Sequence, residues 1–131
     1  MLAVDRWIEK RPEWFDQPRI DIEDVHEGWG QLIDNAFRSA EQILSVYRGA
    51  SFRIVQVKEK LGALTIYFRQ EGLPIEVSDR LSEIMQAARK QSLCVCEICG
   101  ASARLGNTPG CISVRCTSCA PDGWMPSGVE S

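Results

Sequence analysis

Apolar positions in the first half of the chain recur at three- and four-residue intervals, then switch to alternation. Leu32, Ile33, Ala36, Phe37, Ala40, Ile43, Leu44 and Tyr47 form one stripe. Asp34, Arg38, Glu41 and Gln42 lie mostly opposite, which predicts an amphipathic helix over Gln31–Arg48, with Gly49 as its stop. Phe52–Lys58 and Ala63–Arg69 are rich in β-branched and aromatic residues. The intervening Glu59-Lys60-Leu61-Gly62 predicts that they pair as an antiparallel hairpin. Phe52 and Ile54 are expected to share a face with Leu64, Ile66 and Phe68. Gly72-Leu73-Pro74 breaks this pattern. Leu81, Ile84, Met85 and Ala88 then predict a second helix over Ser78–Gln91, with Ser78 as its N-cap. Near the start, a short helical segment over Val4–Lys10 should end at Pro12. The expected fold class is α+β, with amphipathic helices on a small antiparallel sheet and a C-terminal zinc ribbon-like module. Residues 1–93 form the core with its acidic, aromatic N-terminal segment, and 94–131 form the ribbon and a turn-rich tail docked through Trp124.

At 131 residues the chain suits one modest core with an appendage. No apolar run approaches the roughly 18 residues needed to cross a membrane. A net charge of −3 and a pI near 5.2 argue against a dedicated nucleic-acid binder, which carries a strongly basic face. The N-terminus has no basic region followed by an apolar run and no small-residue cleavage site, so a cytoplasmic location with reduced thiols is expected.

The chemistry that changes this picture is cysteine. Cys96-Glu97-Ile98-Cys99 and Cys116-Thr117-Ser118-Cys119 are two Cys-x-x-Cys pairs with sixteen residues between them. That spacing matches a tetrathiolate zinc site, in which two knuckles face each other and complete a tetrahedron. Gly100 follows the first pair, where a knuckle often needs positive φ. A redox pair, a disulfide framework and simple packing cysteines are the competing readings. Cys94 and Cys111 are left over, by default as packing residues. A shifted-register ligand or a reducible pair are the alternatives for them.

Asp21-Ile22-Glu23-Asp24-Val25-His26-Glu27 places four carboxylates in seven residues and reads as a charged loop before the helix. It also offers an acidic surface for a basic partner, with Trp29 beside it as an aromatic anchor. Arg48, Arg53, Lys58, Lys60 and Arg69 make the hairpin locally basic, either as a guard against edge pairing or as an anion contact. An enzyme is disfavoured. His26 is the single histidine, no nucleophile elbow or phosphate-binding glycine loop occurs, and a four-cysteine zinc site has no open position beside Glu97 for water.

Gly28-Trp29 with Leu32-Ile33-Asp34, the run Gln56-Val57-Lys58-Glu59-Lys60-Leu61-Gly62, and Ser92–Gly100 ending Cys-Glu-Ile-Cys-Gly resemble a widespread family. Its members are small bacterial and prophage-encoded proteins with a zinc-knuckle tail. The resemblance covers about residues 28–120. In that family the second pair often reads Cys-x-x-His-Ala, whereas here it is Cys116-Thr117-Ser118-Cys119-Ala120; both thiolate and imidazole ligate zinc. The family brings no established activity. The expected function is therefore a protein-binding module with a structural zinc site. Its sharpest form is an immunity protein that occludes a bacterial toxin through Asp21, Glu23, Asp24, Glu27 and Trp29. A nucleic-acid-binding zinc ribbon is the alternative, though 94–119 offers only Arg104 and Arg115 against Glu97.

Overall fold

A computed structural model describes residues 2–15, 21–23 (backbone) and 25–127. The element order is α1 (Ala3–Lys10), β1 (Asp21–Glu23), α2 (Gly30–Leu44), β2 (Ser51–Lys60), β3 (Ala63–Glu71), α3 (Ile75–Ser92), β4 (Arg104–Thr108), β5 (Cys111–Arg115) and β6 (Met125–Pro126). Short 3-10 turns at Pro12–Trp14 and Glu27–Trp29 follow α1 and precede α2. The fold is α+β, as the period switch predicts.

The first sheet has the order β1-β2-β3. β2 and β3 form the expected antiparallel hairpin, extended by one to two residues at each outer end. Its loop is only Leu61-Gly62, at φ 53° and 86°. Two successive positive φ values match the twist of paired strands, and Gly62 meets that demand without a Cβ. A bulge between Ile54 and Gln56 shifts the alternation, so Val57 joins Ile54, Leu64 and Ile66 in the core.

β1 was not expected. The segment read as a charged loop contributes a parallel strand, with Asp21, Ile22 and Glu23 opposite Gln56, Val57 and Lys58. Three residues rich in carboxylates show no alternation, so only the exposed edge of β2 reveals their partner. Asp24 lies outside the described residues.

The helices differ from expectation at their ends. α2 stops at Leu44 rather than Arg48, where the Ser45 hydroxyl donates to the Gln42 carbonyl at 2.8 Å and tight turns follow. α3 begins three residues before Ser78. Pro74 serves as its cap residue, and its carbonyl accepts from the N–H groups of Val77 and Ser78. A proline needs no amide partner there and its φ of −58° already suits a helix start, so it opens the helix instead of breaking it.

α1 covers α2 with the aromatic N-terminal residues. Trp7 and Trp14 stack at 5.6 Å, and Phe37 meets both edge-on at 5.6 and 6.0 Å. Trp14 also contacts Phe52 at 5.0 Å, which ties this cluster to the sheet. The Trp7 indole N–H donates to Asp34 Oδ1 at 2.9 Å. Arg11 donates to Glu41, and a cation–π contact places Lys10 Nζ 4.6 Å from the Trp7 ring. Three helices and a three-stranded sheet thus enclose one core, whose α1–α2 side is lined by aromatic rings.

The second sheet has the order β5-β4-β6. β4 and β5 form a hairpin, and β6 returns along β4 so that Trp124 lies over Gly106; a Cβ at Gly106 would sit 2.3 Å from the indole. Trp124 docks the tail, as expected. Among the described residues no helix is long and apolar enough to cross a membrane.

Candidate metal centre

Each Cys-x-x-Cys pair forms a closed turn. In the first, the Gly100 N–H donates to the Cys96 carbonyl at 2.9 Å; in the second, the Ala120 N–H donates to the Cys116 carbonyl at 3.0 Å. Gly100 adopts φ +83°, the conformation its position calls for. The first knuckle is fixed further by Cys96 N–H to the Ala101 carbonyl (2.8 Å) and Glu97 N–H to the Val114 carbonyl (3.1 Å). That second bond matters most. It lays the first knuckle against β5, and β5 runs directly into Cys116.

The four sulfurs of Cys96, Cys99, Cys116 and Cys119 consequently all lie within 4.8 Å of one another. Cys99 Sγ and Cys116 Sγ are 3.6 Å apart, and all six cysteines are free thiols. A tetrahedron with metal–sulfur arms of about 2.3 Å has edges of about 3.8 Å, so this set fits a four-thiolate ion. Disulfides, at about 2 Å, are not formed.

The electrostatics are consistent with an ion site. Burial pushes the Cys96 thiol up, but the amide N–H groups of Cys99, Cys116 and Ile98 outweigh it and bring the thiol down to about 6. Cys119 is pushed up to about 12, first by the Cys116 and Cys99 sulfurs and then by desolvation and the Cys96 charge. Four thiols in such a small space cannot all ionise unaided. A cation at their centre removes that conflict.

Four further contacts brace the centre and hold it to the protein. Glu97, 4% exposed, accepts from Arg115 Nε at 3.0 Å. Arg115 also donates to the Cys119 carbonyl at 3.2 Å, so one ion pair straps the two knuckles together. On the core side, the Gly28 N–H donates to the Glu97 carbonyl at 2.9 Å. A Cβ on Gly28 would lie 2.1 Å from the Cys96 oxygen and 2.4 Å from the Glu97 carbonyl carbon, so only glycine permits this approach. Trp29 follows, 0% exposed, with its indole N–H on the Val95 carbonyl at 3.0 Å.

The structure corrects two site expectations. Trp29 is a seam residue locking the ribbon to the core, not an exposed anchor, because its indole is fully buried against the chain leading into Cys96. Cys94 and Cys111 are exposed and stand outside the four-sulfur cluster, so neither is a packing residue. Of the acidic set, Glu27 is exposed, Asp21 and Glu23 occupy β1, and Asp24 falls outside the described residues. Spacing alone does not reveal the Glu97–Arg115 strap, because a buried ion pair separated by 18 residues leaves no periodic trace. The Gly28-Trp29 pair does carry a signal, a glycine directly before a large aromatic at a helix start.

Comparison with models of known protein families, with curated proteins and with solved structures finds no match to this chain.

Proposed function

We propose that the protein is a non-enzymatic protein-binding module whose C-terminal ribbon is held by a structural zinc ion. The observation carrying this reading is the saturated site: four thiol sulfurs at tetrahedral spacing leave no position for water or substrate. A tetrahedral four-sulfur set suits zinc or iron. Zinc is preferred because its d¹⁰ shell gives stable, redox-silent crosslinking, which is all the strapped geometry around Glu97 and Arg115 asks of it.

The nucleic-acid alternative loses support from that same strap. Arg115, one of the two arginines on which a ribbon–phosphate contact would draw, is committed to Glu97 and the Cys119 carbonyl. The toxin-inhibitor form remains one version of the protein-binding reading. It is motivated by the acidic sequence of Asp21, Glu23, Asp24 and Glu27, and charge reversal of Asp21, Glu23 and Asp24 should slow association with such a toxin.

The test is affinity capture of the tagged, metal-loaded chain, with and without nuclease, together with metal analysis. One stoichiometric protein partner that survives nuclease, with one zinc per chain, is expected. Capture that collapses on nuclease treatment, or a chain that turns over substrate with zinc bound, would overturn the reading.

A further inference from the structure

β3 has one strand neighbour. In the order β1-β2-β3, its other edge pairs with no strand among the described residues. The Leu61-Gly62 turn determines which backbone groups face that edge. Lys60 and Ala63 close the two-residue hairpin as its first bonded pair, so alternate residues of β3 bond to β2 and those between them point away. Leu64 fixes the parity, because its N–H donates to Ser92 Oγ of α3 at 2.9 Å instead of to β2. Ile66 and Phe68 therefore aim N–H and C=O outward. They line a cleft of about 650 Å³ between β3 and α3, whose α3 wall includes Ser82, Met85, Gln86 and Arg89.

Sheet edges are normally blunted by charge, proline, a bulge or a covering element. Ala63–Phe68 carries no charge and no proline, and the bulge of this sheet lies on β2. Past Leu64, whose amide α3 covers, Thr65–Phe68 lines the cleft with four uncharged residues of high β propensity, a template for another strand. Arg89 is the single charged residue of the cleft lining. Ser92, three residues on, reaches Leu64, which puts Arg89 at the end of the cleft where β3 begins.

We propose that this cleft receives the C-terminal segment of a partner protein as an added strand, with its terminal carboxylate at Arg89. A carboxylate there places the partner's end at the start of β3, so the added strand runs antiparallel, the better-bonded arrangement. Met85, Ile66 and Phe68 give apolar contact, and the outward amides give backbone bonds. A second copy of this chain fits less well. Isologous pairing presents the same patch twice, and the lining offers Arg89 no carboxylate. The inference rests on the protein-binding reading and assigns it a surface.

The test screens the metal-loaded full chain against a display library of random heptapeptides with free C-termini, then measures synthetic copies of enriched sequences. Binding should weaken roughly tenfold or more on amidating the peptide terminus and likewise in Arg89→Ala, because each removes a charge-assisted bond. Amide exchange at Ile66 and Phe68 should slow with peptide bound. Arg89 is exposed, and its carbonyl rather than its side chain takes the Ser92 hydroxyl, so the variant keeps that contact. No enrichment, undiminished binding to Arg89→Ala, or protection elsewhere would overturn the proposal. So would a dimeric chain in sedimentation with Ile66 and Phe68 already protected. A partner captured from lysate by Arg89→Ala as well as by the parent chain would sink this surface alone and leave the protein-binding reading standing.

Discussion

The aromatic core buries Trp7, Trp14, Trp29, Phe37, Ile54, Val57, Leu64 and Leu81 at 6% exposure or less; among the described residues from Cys94 onward only Cys96, Glu97, Gly106, Ser113 and Val114 are buried. The two regions thus hold their chains by different means. Burial of apolar surface at about 25 cal/mol per Å² can offset the ordering of the core. Among the described residues beyond Cys94, Val114 is the one large aliphatic side chain that is fully buried, while ordering each residue costs roughly 1–2 kcal/mol of backbone entropy. The ribbon therefore depends on its four sulfurs, the Glu97–Arg115 strap and the Gly28-Trp29 seam. The core should persist without the ion, and the ribbon should not.

The largest expected effect breaks the ribbon alone. Cys119→Ser or Cys96→Ser removes a ligand whose binding is folding free energy, within a total on the order of 10 kcal/mol for structural zinc sites. Bound metal should fall from one per chain towards none. Proteolysis should then open the segment after Cys94, while the far-UV signal of α1, α2 and α3 is retained. Full stoichiometry with unaltered protease resistance would show that the ligands are misassigned.

Next is pH. Metal uptake requires thiolates, and Cys119 holds its proton up to about 12 without an ion, whereas Cys96 is already down at about 6. Protons thus compete chiefly at Cys119 and Cys99, whose thiols are both raised, and acidification favours the metal-free state. Affinity measured against a chromophoric chelator should fall about tenfold or more per pH unit between roughly pH 8 and 6. A flat profile would contradict thiolate ligation.

Gly28→Ala sharpens the comparison at the seam. Its new Cβ meets the backbone of Cys96 and Glu97, which a rotamer change cannot relieve, so about 3 kcal/mol of destabilisation is expected, at the top of the usual overpacking range. Denaturant melts of this variant should separate into ribbon and core transitions. A single transition at the parent midpoint would mean that the seam does not couple the regions.

Glu41→Gln should have the smallest effect. Burial raises the Glu41 carboxyl, but the Arg11 bond and charge outweigh this and hold it below its ordinary range. A depressed carboxyl contributes stability above its unfolded value and loses that contribution as pH falls through the folded one. Arg11 is more than a third exposed, so the loss should be under about 1 kcal/mol at pH 7 and vanish in acid. Parallel stability–pH curves for the two proteins would show that the pair contributes nothing.

Much of this was readable from the chain because it depends on local rules. The stripe from Leu32 to Leu44 marks α2, the β-branched runs mark the hairpin, and the Cys-x-x-Cys spacing marks the sulfur cluster. Tertiary context supplied the rest. β1 is three residues that become a strand only beside β2. Val57 faces the core because of a bulge that no alternation predicts. Trp29 looks the same in sequence whether it faces solvent or seals the ribbon against the core, and Pro74 opens a helix at a position where proline more often signals a break.

The most direct test is hydrogen–deuterium exchange of the full chain, metal-loaded and after chelation. Chelation should abolish protection at Cys96, Glu97, Gly100, Cys119 and the β4–β5 amides, while Ile33–Ala40 and the β2–β3 pairs keep theirs. Protection lost throughout the chain, or unchanged at the knuckles, would contradict a core held by burial and a ribbon held by metal.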